Sequence, residues 1–294
     1  MEILIQDLRF ALRSLRRSLG FTSVVGVVLA LGIGVNTMIF SMVYGAVFRP
    51  WPFPHFERVM TVLEANQAQD IKNNSVSWLN YQELRDHATS FAQVGGYWDG
   101  KGQVTIGEEP EQMQYANISA GLLPALGIRP QLGRTFTRDE EVYGQNWSNA
   151  LISDRVWKRR FGGTPDVLGK TLKLNGRVRT IIGVLPVDFR WPEVADFWIP
   201  TAMSPEDMAR RADHNMQMVA RLRDGVSQSQ ANAEVVAVYT RLRQQYPADM
   251  KGWSARVVPY TEQARRGIVS MMLIMSIAVA LVLLIACANV ANLM

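Results

Sequence analysis

The chain has 294 residues, 31 basic against 26 acidic side chains, a formal charge of +5 and 48% hydrophobic residues. Over residues 49–267 the two signs are nearly balanced and mixed, which excludes the basic stripe of a nucleic-acid-binding protein. The single cysteine, Cys287, excludes a disulfide framework, so any soluble domain must be held by its own core.

Residues 1–17, "EILIQDLRFALRSLRR" after the initiator, place Leu4, Leu8, Ala11 and Leu15 on one helical face and Arg9, Arg13, Arg16 and Arg17 on the other. Such a helix lies in a membrane surface, and its arginines favour a cytoplasmic N-terminus. From Ser18 to Phe48 no residue is charged, and a run this long exceeds the roughly 20 residues that cross a bilayer. It predicts a first transmembrane helix at 18–48. A cleaved signal peptide is the alternative, but its apolar core is usually only about 7–15 residues.

"RPWPFP" at 49–54 ends that helix with three prolines. Beyond it, "ERVMTVLEA" reads as a strand, "SWLNYQELRDH" as a helix, and "FAQVGGYW" and "EQMQYANIS" as strands. "SAGLLPALG" predicts a short helix with Ser119 as N-cap and Gly127 as terminator. "DRVWKRRF" predicts a helix, and "LKLNGRVRTIIGVL" a hairpin turning at Asn175-Gly176. "DFWIP" and "NMQMVARLR" follow as strands, "SQSQANAEVVAVYTRLRQQY" as an amphipathic helix stopped by Pro247, and "WSARVVPY" as a last strand. "TEQARRG" then leads into a second uncharged run, 268–294.

That run is long enough for a second transmembrane helix, and it stops without the usual basic or polar anchors, as the front part of a longer protein would. Asn36, Asn289 and Asn292 inside the runs are read as helix-packing residues, helped by small neighbours such as Gly26, Ala30, Gly32 and Gly34. The irregular mixture of strands and helices over 49–267 favours an α+β domain. The predicted fold class is therefore membrane α-helical, with two transmembrane helices, plus an α+β extracytoplasmic domain.

Chemistry is sparse. "GGTPDVLGKT" ends in the Gly-Lys-Thr of a phosphate-binding loop, but the position that must be glycine is Thr164, and strands follow Lys170 where a helix is required. His55, His87 and His214 lack any second ligand at a metal spacing, and no nucleophile signature occurs. The acids of "RDEE" at 138–141 are expected to be an exposed loop. The tryptophans of the polar region, Trp78, Trp98, Trp147, Trp157, Trp191, Trp198 and Trp253, are read mainly as core. The sequence thus offers no catalytic, cofactor-binding or metal residue, and no enzymatic activity is expected of the chain.

Four stretches carry a resemblance: "FALRSLRRSLGFTSVVGVVLALGIGVNTMIFSMVYGAVFRPWPFP", "NISAGLLPALGIRPQLGRTFTRDEE", "VWKRRFGGTPDVLGKTLKLNGRVRTIIGVLPVDFRWP" and "LLIACANVANLM". In order and spacing they resemble the MacB-type, FtsX-like permeases of ABC transporters, in particular a group seen in acidobacteria where the unit is duplicated. The resemblance implies an inner-membrane permease half with residues 49–267 in the periplasm, as a porter-like lobe with an inserted distal lobe at about 120–210. It implies a separate cytoplasmic ATPase subunit and a second permease half or homodimer mate as partners, besides the lipid bilayer, and no cofactor. The family's last two spans would lie beyond Met294. A membrane-anchored sensor or binding module is the alternative of a different class.

Overall fold

The structure, a computed structural model, describes residues 54–265 except 108, 145–147, 188, 190, 193 and 209, together with scattered helical positions within 20–41 and 274–288. The predicted surface helix at 1–17 lies outside the described residues, as do most of the two predicted spans, 18–48 and 268–294. Asn36, Cys287, Asn289, Asn292 and Trp147 fall there too. Among the described residues no helix is long and apolar enough to cross a membrane. The chain divides into two units, 1–50 with 264–294, and 51–263.

The strands of the unit 51–263 are β1 (Val59–Asn66), β2 (Ile71–Asn74), β3 (Phe91–Ile106), β4 (Glu109–Ile118), β5 (Leu132–Gly133) and β6 (Asn149–Ile152). After them come β7 (Thr171–Leu174), β8 (Arg177–Val184), β9 (Phe197–Pro200), β10 (Gln217–Leu222) and β11 (Trp253–Pro259). The helices are α1 (Trp78–His87), α2 (Leu122–Leu126), α3 (Asp154–Phe161), α4 (Pro205–Met208) and α5 (Gln228–Gln245). One sheet runs β11-β1-β10-β3-β4-β9-β6-β8-β5, with β2 on β1 and β7 bridging β3 and β8. The β4–β9 and β6–β8 pairs are parallel and the others antiparallel. Helices and strands alternate irregularly, so the unit is an α+β domain.

Local sequence explains most elements. Ser77, Ser153 and Ser227 each cap a helix by accepting the N–H of the third helical residue, and Gln230 returns the bond to the Ser227 N–H at 2.8 Å. Each such cap stabilises by about 1 kcal/mol. The β7–β8 hairpin turns through Asn175 at φ 51° and Gly176 at φ 78°, the double positive φ of a type I′ turn.

Two expectations need correction. Ser119 does not cap α2; Gly121 stands at that position, and the Ser119 hydroxyl instead accepts the Gly96 N–H at 2.8 Å. The reason is close packing. A Cβ on Gly95 would lie 2.2 Å from Leu122 Cα, and one on Gly121 would lie 2.0 Å from the Val94 carbonyl oxygen, so the helix start rests directly on β3 backbone. Second, residues 138–141 form a 3₁₀ turn in which Asp139 is exposed but Glu140 and Glu141 turn inward, and Glu140 is 2% exposed. β3 also continues past Trp98 to Ile106, paired with β4 along its length.

Apolar alternation along β10 sends Met218, Ala220 and Leu222 to one face and Val219 to the other. The first face packs under α1 and α5 through Tyr81, Leu84, Val235, Tyr239 and Leu242. The second packs under α2 through Leu122, Leu123 and Leu126. A third cluster joins Val156 of α3 to Leu172, Leu174 and Ile181 of the hairpin and to Phe197 and Ile199 of β9. Burying a side chain of this size contributes about 1.5–3 kcal/mol.

Candidate functional site

The residues where the chain arrives at and leaves the α+β unit are bonded into its interior. On the arriving side, Arg221 of β10 donates from Nε to the Ala125 carbonyl at 2.8 Å and from its terminal nitrogens to the carbonyls of Pro54 at 3.1 Å and His55 at 3.3 Å. Arg58 donates from Nε to the Leu222 carbonyl at 3.2 Å and pairs with Asp224. Burial, then the neighbouring Arg58 charge, pushes the Arg221 guanidinium below its ordinary value.

On the leaving side, Trp191 Nε1 donates to the Tyr260 hydroxyl at 2.7 Å, and the two rings meet edge to face at 5.8 Å. Burial pushes the Tyr260 hydroxyl upward. Trp191 packs 4.4 Å from the Tyr97 ring, its carbonyl accepts from Trp198 Nε1 at 2.8 Å, and the Tyr97 hydroxyl donates to Gln217 at 2.6 Å. Gln217 and Arg221 are both on β10, four residues apart, and so face the same side as Val219. Both ends of the unit are thus tied to one face of one strand.

A cleft of 600 Å³ opens between the end of α1, β3 and the 136–141 segment. Arg85 forks onto Asp86 at 2.8 and 2.9 Å, stands 3.6 Å from Glu141, and lies 5.6 Å from the Tyr81 ring centre. Glu141 also accepts the Ala120 N–H. Burial raises the Glu141 carboxyl above its usual range, against the pull of that bond and of Arg85. Burial, then the Glu141 charge, pushes the Tyr81 hydroxyl up to about 12, so it is no base at neutral pH. The Arg85 hydrogen bond holds Asp86 below its usual range. In the cleft Arg85 is engaged by Asp86 and Glu141, and Thr89, which also lines it, donates its hydroxyl to Glu234 at 2.7 Å.

Next door in sequence, Glu140 behaves in the opposite way. Burial alone would raise it. Bonds from Arg134 at 3.0 Å to each oxygen, from the Thr137 N–H at 2.7 Å and from Asn149 outweigh burial and hold it low.

A third polar group is interior. Glu64 of β1 has no exposed surface and accepts from Asn80 at 2.7 Å, from the Tyr239 hydroxyl and from His214. His214 stacks on Trp253 at 3.8 Å, and Arg211 bonds Asn80 while covering the Tyr246 ring at 4.2 Å. His55 and His87 lie elsewhere, beside Glu57 at 3.5 Å and Glu83 at 3.6 Å. Among the described residues no group of three or more His, Cys, Asp or Glu is placed to hold a metal ion. Lys170 stands in the loop before β7 with Nζ 2.8 Å from Asp166.

Of the tryptophans noted in the sequence, Trp78, Trp198 and Trp253 are buried, while Trp98, Trp157 and Trp191 are partly so. Sequence reasoning missed Glu64, Glu140, Glu141 and Arg221. A single acid inside the apolar strand "VMTVLEAN" and a single arginine in "MVARL" were the available signals for two of them.

Residues 22–238 match the family model described as the MacB-like periplasmic core domain. The fold is similar to a domain of a permease protein from Porphyromonas gingivalis, at 19% identity and a TM-score of 0.56, over 72% of this chain and 93% of that one. It is also similar to the periplasmic region of MacB from Actinobacillus actinomycetemcomitans, at 14% identity and a TM-score of 0.51, over 72% of this chain and 92% of that one. At these identities the likeness is one of fold. No curated protein matches the chain.

Proposed function

Because the chain belongs to the MacB-like periplasmic core domain family, a family of ABC-type transporter permeases, we propose that it is the membrane subunit through which ATP hydrolysis in a separate cytoplasmic ATPase moves an extracytoplasmic domain. In this reading 1–17 lies on the cytoplasmic surface, 18–48 and 268–294 span the inner membrane, and 49–267 is periplasmic. The domain works as a porter-like lobe carrying a distal lobe at about 120–210, an assignment supported by the separate apolar cluster of α3 and the β7–β8 hairpin. A second permease half or a dimer mate completes the transporter.

One observation carries the reading. The arriving end is hydrogen-bonded to Arg221 of β10, and the leaving end reaches the same face of that strand through the Tyr260–Trp191 hydrogen bond, the Trp191–Tyr97 ring contact and the Tyr97–Gln217 hydrogen bond. A domain that must follow the movement of two flanking helices needs stiff links at both ends, since a compliant link absorbs a displacement of a few ångströms. Here the arriving link ends directly on the sheet, and the leaving link reaches it through Trp191 of the segment between β8 and β9. A displacement of either end therefore reaches a strand at the centre of the β1–β10–β3 layer.

The test is a flexible Gly-Ser insertion between Tyr260 and Ile268 in the complete transporter with its ATPase. Spin labels at the exposed Val178 of each permease half report whether nucleotide changes the distance between periplasmic domains. The insertion is expected to abolish that change while ATP is still hydrolysed. A nucleotide-dependent change as large as in the parent protein would overturn the lever.

A further inference from the structure

A second cavity, of 560 Å³, lies between the end of β1, the 212–214 segment and the 248–253 turn, and is lined by Asn66, Gln69, His214, Asp249, Lys251 and Trp253 together with alanines. We propose that this cavity binds a small zwitterion carrying an ammonium and a carboxylate, either a free amino acid or a dipeptide.

His214 supplies the fixed point. Its side chain is 7% exposed, and its Nδ1 meets Glu64, which has no exposed surface and also accepts from Asn80 at 2.7 Å and from the Tyr239 hydroxyl. A carboxylate only accepts, so Nδ1 carries the proton and Nε2 is left as the acceptor of the neutral ring. Nε2 has no hydrogen bond to any described residue, and the ring lines the cavity with one face stacked on Trp253. A nearly buried acceptor without a protein donor must take its donor from solvent or from a ligand.

The charges come from the turn. Asp249 and Lys251 line the cavity from exposed positions, and neither forms an ion pair with a described residue. Exposed charges two residues apart ordinarily belong to a hydrated loop, but this turn is pinned. Met250 between them has no exposed surface, and its sulfur accepts from the Asn80 amide at 3.6 Å. Asn66, 1% exposed, donates to the Lys251 carbonyl at 3.1 Å. Gly252 follows at φ 75°, where a Cβ would stand 2.7 Å from the Asn66 side-chain oxygen. The opposite wall rests on the same interior, through His214 on Glu64 and Arg211 on Asn80. Groups that meet a ligand from a fixed base lose less freedom on binding.

An anion, a cation and an open ring nitrogen around one cavity select a ligand with both signs of charge. The ligand's ammonium donates to Asp249 and to His214 Nε2, and its carboxylate accepts from Lys251. A ligand with only a negative charge would meet Asp249 at like charge, and one with only a positive charge would meet Lys251. Ala68, Ala212, Ala248 and Trp253 leave apolar lining for a hydrocarbon side chain. The volume of 560 Å³ falls within the range of ligand sites, about 300 to 1,000 Å³.

The experiment is calorimetric titration of the full chain in neutral detergent with L-leucine and with L-leucyl-L-leucine, and with the C-terminal amide and the N-acetyl form of each, which lack one charge. Saturable one-site binding is expected for a zwitterion, at least tenfold tighter than for either of its derivatives. D249N and K251Q, both at exposed positions, should each weaken the zwitterion at least tenfold. Residual binding of the N-acetyl form should be indifferent to D249N, and that of the amide to K251Q, because the matching charge is already gone. H214F keeps a ring against Trp253 without Nε2 and should also weaken binding; should it fail to fold, the two exposed variants still decide. D213N removes an exposed acid that does not line the cavity and should bind like the parent chain. The inference is overturned if neither zwitterion saturates, if removing either charge from the ligand changes nothing, or if D213N weakens binding as much as D249N. At least tenfold tighter binding of the dipeptide assigns a peptide, the reverse assigns a free amino acid, and any lesser difference assigns the shared zwitterion.

Discussion

On the β11-β1-β10-β3 side of the sheet, α1 and α5 lay Leu84, Val235, Tyr239 and Leu242 onto the strands, and shape does most of the stabilising. On the β6-β8-β5 side most elements other than β8 are short, and several buried acids, against the single buried Glu64 among the described residues of the first side, take a larger share. Asp154 holds Lys158 at 2.9 Å and Gln131 at 2.9 Å, Asp196 holds Ser153 at 2.9 Å and Arg155, and Glu140 holds Arg134 and the Thr137 N–H. Helices bury a continuous stripe, whereas short strands and 3₁₀ turns leave N–H groups and loops that only specific polar partners can fix. The first region should therefore be sensitive to lost volume and the second to lost charge.

The largest effect expected is in the helix-backed region. Tyr239 is fully buried, and Tyr239→Ala should cost about 3–5 kcal/mol, read as a loss of thermal stability of the full chain in detergent. Burial keeps its hydroxyl pKa well above the ordinary value, so it is a neutral donor to Glu64. Tyr239→Phe keeps the volume but leaves Glu64 short of a donor, and should cost about 1–3 kcal/mol. If the Phe variant is as unstable as the Ala variant, lost volume does not govern stability on this side.

In the second region, Glu140→Gln should cost about 1.5–3 kcal/mol at pH 7.5, the usual worth of hydrogen bonds to a charged group. The pH dependence separates charge from shape. The folded carboxyl of Glu140 is held below its unfolded value, so its contribution is present above the unfolded pKa of about 4.3 and is lost as pH falls through the lowered folded value. The gap between parent and E140Q should be constant from neutral pH down to about 5 and close below that. A gap that persists in acid would mean that Gln simply packs badly.

Glu141 reverses the sign one residue later. Its folded carboxyl is raised by burial, so its favourable contribution is present below about pH 4.3 and is lost as pH rises through the raised folded value. Glu141→Gln should therefore equal the parent in acid and exceed it at pH 7.5 by roughly 1 kcal/mol or less. Parallel melts of E140Q and E141Q across pH give the contrast directly. Two destabilised variants at pH 7.5 would sink it.

Sequence pattern served local and long-range features unequally in both regions. The α5 stripe, the Asn175-Gly176 turn and the Ser153 and Ser227 caps are local signals, readable within a few residues. Ser119 was misread because what fixes its role is Gly96, twenty-three residues away, and the close approach of Leu122 to Gly95. Glu140 did carry a local signal that the expectation of an exposed loop passed over, the Thr137-x-x-Glu140 spacing that lets it accept the Thr137 N–H, whereas Glu141 looks like any exposed charge because its partners, Ala120 and Arg85, come from other segments. Arg221 likewise reads as a strand residue of no note, and only the fold brings Pro54, His55 and Ala125 around it.

The smallest effect belongs to the stretch with the strongest motif. Lys170 is the middle residue of a Gly-Lys-Thr triplet, yet a phosphate-binding loop works by aiming the first N–H groups of a helix at the phosphate. Here the residue after Lys170 begins β7, whose N–H groups enter sheet pairing with β8, and Lys170 Nζ rests on exposed Asp166. That hydrogen bond lowers the Asp166 carboxyl, but an exposed pair one helical turn apart contributes little to stability. Lys170→Ala should leave the melting temperature unchanged within error, and millimolar ATP with magnesium should shift neither the parent nor the variant. An ATP-dependent stabilisation that vanishes in Lys170→Ala would restore the nucleotide site and require the loop to rearrange into a helix start.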